Sequence, residues 1–342
     1  MKCAKLISAK KFEISEIEEP KEEVGKVLID VTKTGICGSD LHYFEIGEPY
    51  GLVMGHEFCG RVLYNGGRSD LNVGDRVTAL PISPCGHCDA CLTGNHQYCL
   101  ETWNRAVGLS IENPGGFTSK INVRSDMVYK VPDNISDEEV AMVEPTAVGL
   151  HAIHLADIKI GDKVLVIGSG IIGLVSAMFA KMAGASYVAI SEVNEKRAKK
   201  AIELGVANEY ILADEKFNEN VINKVGIGFD KVIECCGNSS AVTSGLSAVK
   251  PGGHVVLVGV SMMPITIPSI IAVMHEVSIT GAIAYTKDEF KTVIDLMANK
   301  QVDVLKFLSK IVSLDETQSA FEELTSNNSS YVKIIVDPKN IR

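Results

Sequence analysis

"VLVIGSGIIG", residues 164–173, is the stretch whose reading decides the fold. A short apolar, mostly β-branched run leads into Gly168-Ser-Gly170-x-x-Gly173, and the helical pattern "IIGLVSAMFAKMAGA" follows at once. A bare G-x-G-x-x-G says little. Set between a strand and a helix it makes a dinucleotide turn, because the glycines permit a tight bend and let the helix N–H groups approach a pyrophosphate. "SYVAISE" then supplies a second strand ending on Glu192. An acid about 20 residues past such a turn accepts hydrogen bonds from the adenosine ribose and repels a 2′-phosphate. NAD is therefore expected in preference to NADP. A solvated loop acid is the plainer alternative for Glu192, and Arg197 nearby could receive a phosphate or lie along the adenine.

Outward from the turn, "EYIL", "DKVIEC", "HVVLVGV" and "VSITGAI" read as further strands. Helical patterns lie between them: "NEKRAKKAIELG", ending on Gly205, then "SSAVTSGLSAVK" and "PSIIAVMHE". Six strands alternating with helices argue for an α/β fold with a parallel, doubly wound sheet, expected over 147–285. The first 146 residues differ. Short β-rich runs ("KVLIDVTKTG", "FCGRVLYNGG", "DRVTAL", "FTSKINV") separated by Gly, Pro and Asp suggest a small distorted β-barrel with long loops. After 286 come a helix, "DEFKTVIDLMANK", mixed structure and a last strand, "YVKIIVDP". This tail is expected to rejoin residues 1–146 in one domain.

Composition narrows the function. The chain of 342 residues is 46% hydrophobic and 22% charged, enough for two domain-sized cores. A formal charge of −10 argues against a nucleic-acid partner, which calls for a basic face. No apolar run approaches the roughly 18 residues of a membrane span. The N-terminal stretch soon turns charged and lacks a signal-peptide core, so the expectation is a cytoplasmic protein without a membrane partner.

The nine cysteines are an odd number, and a reducing compartment disfavours disulfides. Four of them crowd into "CGHCDACLTGNHQYC" at 85–99. Thiolates at short C-x2-C intervals suit tetrahedral structural zinc, with Cys85, Cys88, Cys91 and Cys99 as ligands. All four positions are then filled by protein, so this lobe is a staple and the chemistry lies elsewhere.

A second constellation is scattered through "GICGSDLHYF" (35–44), "GHEFCG" (55–60) and "VEPTAVGLHA" (143–152). Cys37, His56, Glu57 and Glu144 each fall in a stretch whose Gly or Pro suggests a loop. Singly, Cys37 could be a small buried hydrophobe and His56 a satisfied core imidazole. Together with the staple and the dinucleotide turn, they read as ligands of a catalytic zinc with one exchangeable position.

These motifs, in this order, resemble the zinc-containing medium-chain alcohol dehydrogenases, most of all their sorbitol dehydrogenase-like polyol branch. The resemblance spans essentially the whole chain and takes in "ITGAIAY" at 279–285. It implies a GroES-like catalytic domain with a Rossmann domain, one catalytic and one structural zinc per chain, and assembly as a homodimer or homotetramer. It further implies that Cys37, His56 and Glu57 bind the catalytic zinc. Glu144, replacing the cysteine of alcohol-type relatives, would bind zinc or hold its water, and Asp40 would orient His56.

The implied reaction takes the hydroxyl proton of a secondary alcohol through Ser39, with His42 next in the relay, and passes a hydride to the nicotinamide. Tyr43 and Tyr285 would face substrate. Ile172, Arg197, Val258, Gly259, Val260, Ala282, Ile283 and Ala284 would touch the cofactor. One departure stands out: where sorbitol-like enzymes carry an Arg before the tyrosine, this chain has Ala284. Losing a five-donor guanidinium leaves a more apolar pocket, so butanediol and threonine stay open beside sugar alcohols and their phosphates.

Several tempting residues are left aside. Cys235–Cys236 ends a core strand and reads as packing. His151 and His154 read as ordinary helix-face residues, and Trp103 as packing beside the zinc lobe. A rival of another class is a nucleotide-binding protein without catalysis. The full set of Cys37, His56, Glu57, Glu144 and Ser39 speaks against it, because a binding module needs no open metal site.

Overall fold

The computed structural model describes residues 1–326 and 329–341. The chain forms two compact units, Met1–Pro145 with Tyr285–Arg342, and Thr146–Ala284. The first opens with an antiparallel hairpin of β1 (Lys2–Ser8) and β2 (Lys11–Glu16). Then come β3 (Lys26–Gly35), α1 (Gly38–Ile46), β4 (Glu57–Tyr64), β5 (Arg76–Ala79), α2 (Asp89–Leu92), β6 (Lys120–Arg124) and β7 (Val128–Lys130). Two helices follow, α3 (Asp137–Ala141) and α4 (Val143–Ala156). β3 buries Val27, Leu28, Ile29 and Val31.

The second unit holds β8 (Lys163–Ile167), α5 (Ile171–Met182), β9 (Tyr187–Glu192), α6 (Glu195–Glu203), β10 (Glu209–Leu212) and α7 (Phe217–Val225). It continues with β11 (Phe229–Glu234), α8 (Ser239–Ala248), β12 (Val249–Leu257), α9 (Ser269–Met274) and β13 (Ser278–Gly281). Every strand pairing is parallel, in the order β10-β9-β8-β11-β12-β13. Val164, Leu165, Val166 and Ile167 are all buried, the unbroken apolar run of a strand covered on both faces. The order reverses between β8 and β11, the switch point at which such sheets take ligands. α6 is capped by Asn194, whose side chain accepts the N–H groups of Lys196 and Arg197.

The chain then returns to the first unit through α10 (Lys287–Ala298), β14 (Leu308–Ser313), α11 (Thr317–Thr325) and β15 (Lys333–Asp337). β15 pairs antiparallel with β3, giving the sheet order β14-β15-β3-β4-β5-β7, with β6 also on β3. Phe12, Phe44, Phe117 and Phe321 interlock behind the hairpin, with ring centroids 4.7–5.9 Å apart. They tie the returning helix α11 to the N-terminal strands.

Three expectations need correction. The stretches bearing Cys37 and Glu144 are not simply loops: Cys37 is the N-cap of α1 and Glu144 lies in the first turn of α4. Pro145, which looked like a loop signal, sits in that first turn, where no backbone donor is required. The helical pattern of 239–250 stops at Ala248, because Val249 opens β12 opposite Phe229.

Candidate metal centres and dinucleotide turn

In the second unit, the residues read as cofactor ligands gather at the C-terminal ends of the strands. Gly168 has φ +98°, and a Cβ on Gly173 would lie 1.9 Å from the Gly168 carbonyl oxygen, so α5 packs directly on the turn. Gly170 caps that helix, and Ile172 lies half-buried in its first turn. Gly259 packs as closely, since a Cβ there would meet the Gly237 nitrogen at 2.0 Å. The amides of Val258 and Gly259 both donate to the Glu234 carbonyl. Val260 is exposed, the Ala282 amide donates to the Leu257 carbonyl, Ile283 is exposed, and Ala284 has φ +49°.

Glu192 ends β9 as expected, yet its carboxylate is turned inward. Oε2 accepts the Ser169 amide (2.9 Å) and hydroxyl (2.7 Å), and Oε1 accepts the amides of Val193 (2.9 Å) and Asn194 (3.1 Å). With 9% exposure and four donors on about four lone-pair sites, the acid braces the glycine turn in place of an open acceptor for ribose. Its negative charge remains beside that turn. Glu234, at the end of β11, is the same device, and sequence reasoning missed it. Its Oε1 accepts the amides of Cys236 (2.6 Å) and Gly237 (2.8 Å). The only sequence signal was an acid closing the apolar run "DKVIE".

In the first unit, the Cys37, His56 and Glu57 ligand atoms lie within 4.8 Å of one another. Asp40 draws two of these residues together. Its Oδ2 accepts the Cys37 amide (3.0 Å), and its Oδ1 stands 3.4 Å from His56 Nδ1. Burial would lower the imidazole pKa, but Asp40 and Cys37 carry it well above its ordinary value.

Glu57 opens β4 opposite Gly35, and its Oε2 is ion-paired with Lys333 Nζ, both side chains being 0% exposed. Lys333 also donates to the Ile36 carbonyl at 2.8 Å. A Cβ on Gly35 would fall 2.0 Å from Glu57 Oε2, so the glycine makes room for the pair. Lys333 was not anticipated, because a lysine in a short terminal strand gives no sign of a partner so distant in sequence.

Glu144 differs from expectation. It is not part of the three-residue cluster, and its Oε1 accepts the Tyr285 hydroxyl at 2.9 Å. Burial pushes its carboxyl up to about 7, with His56 opposing and Glu57 adding to the rise. Tyr285, expected on substrate, is instead 2% exposed, with its ring stacked 5.4 Å from Phe290 and its hydroxyl spent on Glu144. Ser39 and Tyr43, four apart on α1, share one half-buried face, and His42 is exposed.

The residues fit zinc at two places. In the three-residue cluster, buried Glu57 Oε1 has no hydrogen-bond partner among the described residues. An orphaned carboxylate oxygen beside one thiol and one imidazole suits a cation with three protein ligands and an open position. In the lobe, the Cys85, Cys88, Cys91 and Cys99 sulfurs form a second cluster within the same limit. Backbone N–H groups of Cys85, Gly86 and Cys88 donate to Cys99, Cys91 and Cys85 sulfur at 3.3–3.4 Å. Amides from His87 and Cys88 pull the Cys85 thiol down to about 6, while burial and its neighbours push Cys91 up to about 12. Four adjacent thiols cannot all ionise unaided, and a dication removes the conflict. Among the described residues no helix is long and apolar enough to cross a membrane.

Comparison with known proteins agrees with this construction. The profile of the alcohol dehydrogenase GroES-like domain matches residues 23–133, and that of zinc-binding dehydrogenases matches 172–299. A sorbitol dehydrogenase of Bombyx mori is 30% identical over 351 residues, covering 99% of each chain. The crystal structure of 2R,3R-butanediol dehydrogenase from Bacillus subtilis superposes with a TM-score of 0.87 at 31% identity, covering 99% of both chains. A zinc-binding dehydrogenase from Sinorhizobium meliloti 1021, solved bound to NADP, gives 0.87 at 29% identity over 98% of this chain and 99% of its own. By both profiles and by likeness along its whole length, the chain belongs to the zinc-containing medium-chain alcohol dehydrogenases, oxidoreductases of small alcohols, on their sorbitol dehydrogenase-like branch.

Proposed function

We propose that the protein oxidises a secondary hydroxyl of a polyol or sugar alcohol to a ketone, with hydride transfer to NAD. The unit built from both chain ends would be the catalytic domain, and the inserted unit the NAD-binding domain. The observation that carries this reading is the cluster of Cys37, His56 and Glu57, with one buried carboxylate oxygen lacking any partner. These three residues would hold the catalytic zinc. When bound, zinc supplies a Lewis acid that polarises the alcohol oxygen and lowers its pKa.

The rest falls to the chain's own groups. Asp40 orients His56, and Lys333 holds one oxygen of Glu57 away from the cluster. Ser39 Oγ takes the hydroxyl proton and His42 passes it to solvent, while Tyr43, on the same helix face as Ser39, contacts the substrate. NAD⁺, when bound, would accept the hydride of the carbinol carbon, so that alcohol and NAD⁺ become ketone, NADH and a proton. The charge of Glu192, braced beside the turn, disfavours a 2′-phosphate and supports NAD over NADP.

A second reading, oxidation of 2,3-butanediol or threonine, is favoured by Ala284, which stands where sorbitol-like enzymes carry an Arg. NADH formation at neutral to alkaline pH against sorbitol, xylitol, galactitol, galactitol 1-phosphate, 2,3-butanediol and threonine separates the two. Turnover on a polyol, faster with NAD than NADP, is expected. Turnover confined to butanediol or threonine would transfer the assignment to the second reading, and no turnover with any of them would defeat both.

Homo-oligomeric assembly is supported by the edge strand β13 and by exposed Met262, Met263, Ile270, Val273 and Met274 in the same unit. Light scattering is expected to register two or four chains, and a monomeric mass would refute it. A reducing compartment, the cytoplasm, suits the thiol ligands.

A further inference from the structure

We propose that Tyr285 is a positioning residue. Its hydroxyl ties back Glu144, so that this carboxylate does not close the fourth coordination position of a metal held by Cys37, His56 and Glu57. The inference rests on the reading of those three residues as ligands given above.

Glu144 is 8% exposed, and the charges that bear on it are those of His56, Glu57 and Lys333, the members of the cluster and their neighbour. A carboxylate so placed, and able to turn, would complete a four-ligand set. Four protein ligands make a closed, structural site, whereas three leave room for substrate. The Tyr285 hydroxyl on Oε1, at 2.9 Å, opposes that turn.

The phenol is itself held fast. Its ring stacks on Phe290 at 5.4 Å with 24° between the planes, and Phe290 is fully buried against Tyr129, 5.5 Å away. Glu57 is restrained in the same manner, because Lys333 engages its Oε2 and leaves Oε1 alone as the ligand atom. Glu57 and Glu144 are thus each tied by one oxygen. One tether makes a single-oxygen ligand, and the other withholds a ligand.

Tyr285→Phe keeps the ring and its stacking and removes only the hydroxyl. The experiment compares wild type, Tyr285→Phe, Glu144→Gln and the double variant as zinc-loaded proteins. It follows zinc release to a chelator and the visible absorption of cobalt(II)-exchanged protein, with His56→Ala as the reference lacking the site. The expected result is slower release of the cluster zinc in Tyr285→Phe, by about tenfold, the lower end of the range for groups that orient ligands. The cobalt bands should change with it, and both effects should vanish when Glu144 is Gln.

Faster release would mean that Glu144 is already a ligand supported by Tyr285, and would overturn the proposal. Unchanged release and absorption would overturn it as well. If wild type and His56→Ala hold the same single zinc, the ligand reading itself fails, and the proposal falls with it.

Discussion

Replacing Lys333 with methionine is expected to destabilise the first unit by about 3–5 kcal/mol, the usual cost of removing one member of a buried ion pair. Methionine fills a similar volume, so packing changes little and the loss reports the charge. Glu57 Oε2 would be left without its partner, in a site where both side chains are now 0% exposed. The chain's single tryptophan, Trp103, lies in this unit half-buried, and its fluorescence during urea unfolding follows the unit directly. Glu57→Gln combined with Lys333→Met should recover a large part of the loss, because a neutral amide is far cheaper to bury than a carboxylate. A midpoint shift worth less than about 0.5 kcal/mol, the scale of ordinary surface substitutions, would show that the pair does not hold the unit together.

Cys85→Ser is expected to lower the zinc content from two per chain to one and to unfold the lobe while the sheets persist. Little besides metal holds this segment. Between Cys85 and Cys99 the helices are the four-residue α2 and a 3-10 turn of three residues, His96–Tyr98, and Leu92, Tyr98 and Leu100 are largely exposed, Leu100 at 94%. Zinc binding contributes about 10–16 kcal/mol in small Cys/His sites, far more than so thin a core could supply. Losing even about 3 kcal/mol of local stability would speed proteolysis within residues 85–100 roughly a hundredfold. Turnover should fall much less than protection does. Loss of turnover with a protected lobe would contradict this division between staple and reacting centre. Two zincs retained in the variant would remove Cys85 from the ligands.

The parallel sheet was legible because its central strands β8 and β9 are buried on both faces. "VLVI" and its counterparts stand as continuous apolar runs between helical periods, and all six strands lie where those runs predict. The four-cysteine lobe was legible because its ligands are close together in the chain. The proposed reacting centre was harder to read. Cys37, His56 and Glu57 carried meaning only as a set, and the pairs that restrain its carboxylates left no local trace. Glu144 and Tyr285 are 141 residues apart, and Glu57 and Lys333 are 276 apart. Neither periodicity nor spacing can report a contact of that range. For Glu192 the place was correct and the direction was not: residue type fixes which strand end bears an acid, but not which amides it will accept.

The distance between Glu57 and Lys333 also has a consequence in time. The strands of the second unit lie wholly between the two stretches that make up the first, so that unit can complete its sheet while the protein is still being synthesised. Glu57 cannot meet its lysine until 276 further residues have been added, about a quarter of a minute to a minute at ordinary translation rates. Throughout that interval every ligand of the open cluster already exists, yet the strand that neutralises its acid does not. A chain released at Val332 would contain all eight metal-site candidates and the whole dinucleotide turn, and would still lack a finished centre. Assembly of the proposed site is thus reserved for chains translated at least through Lys333.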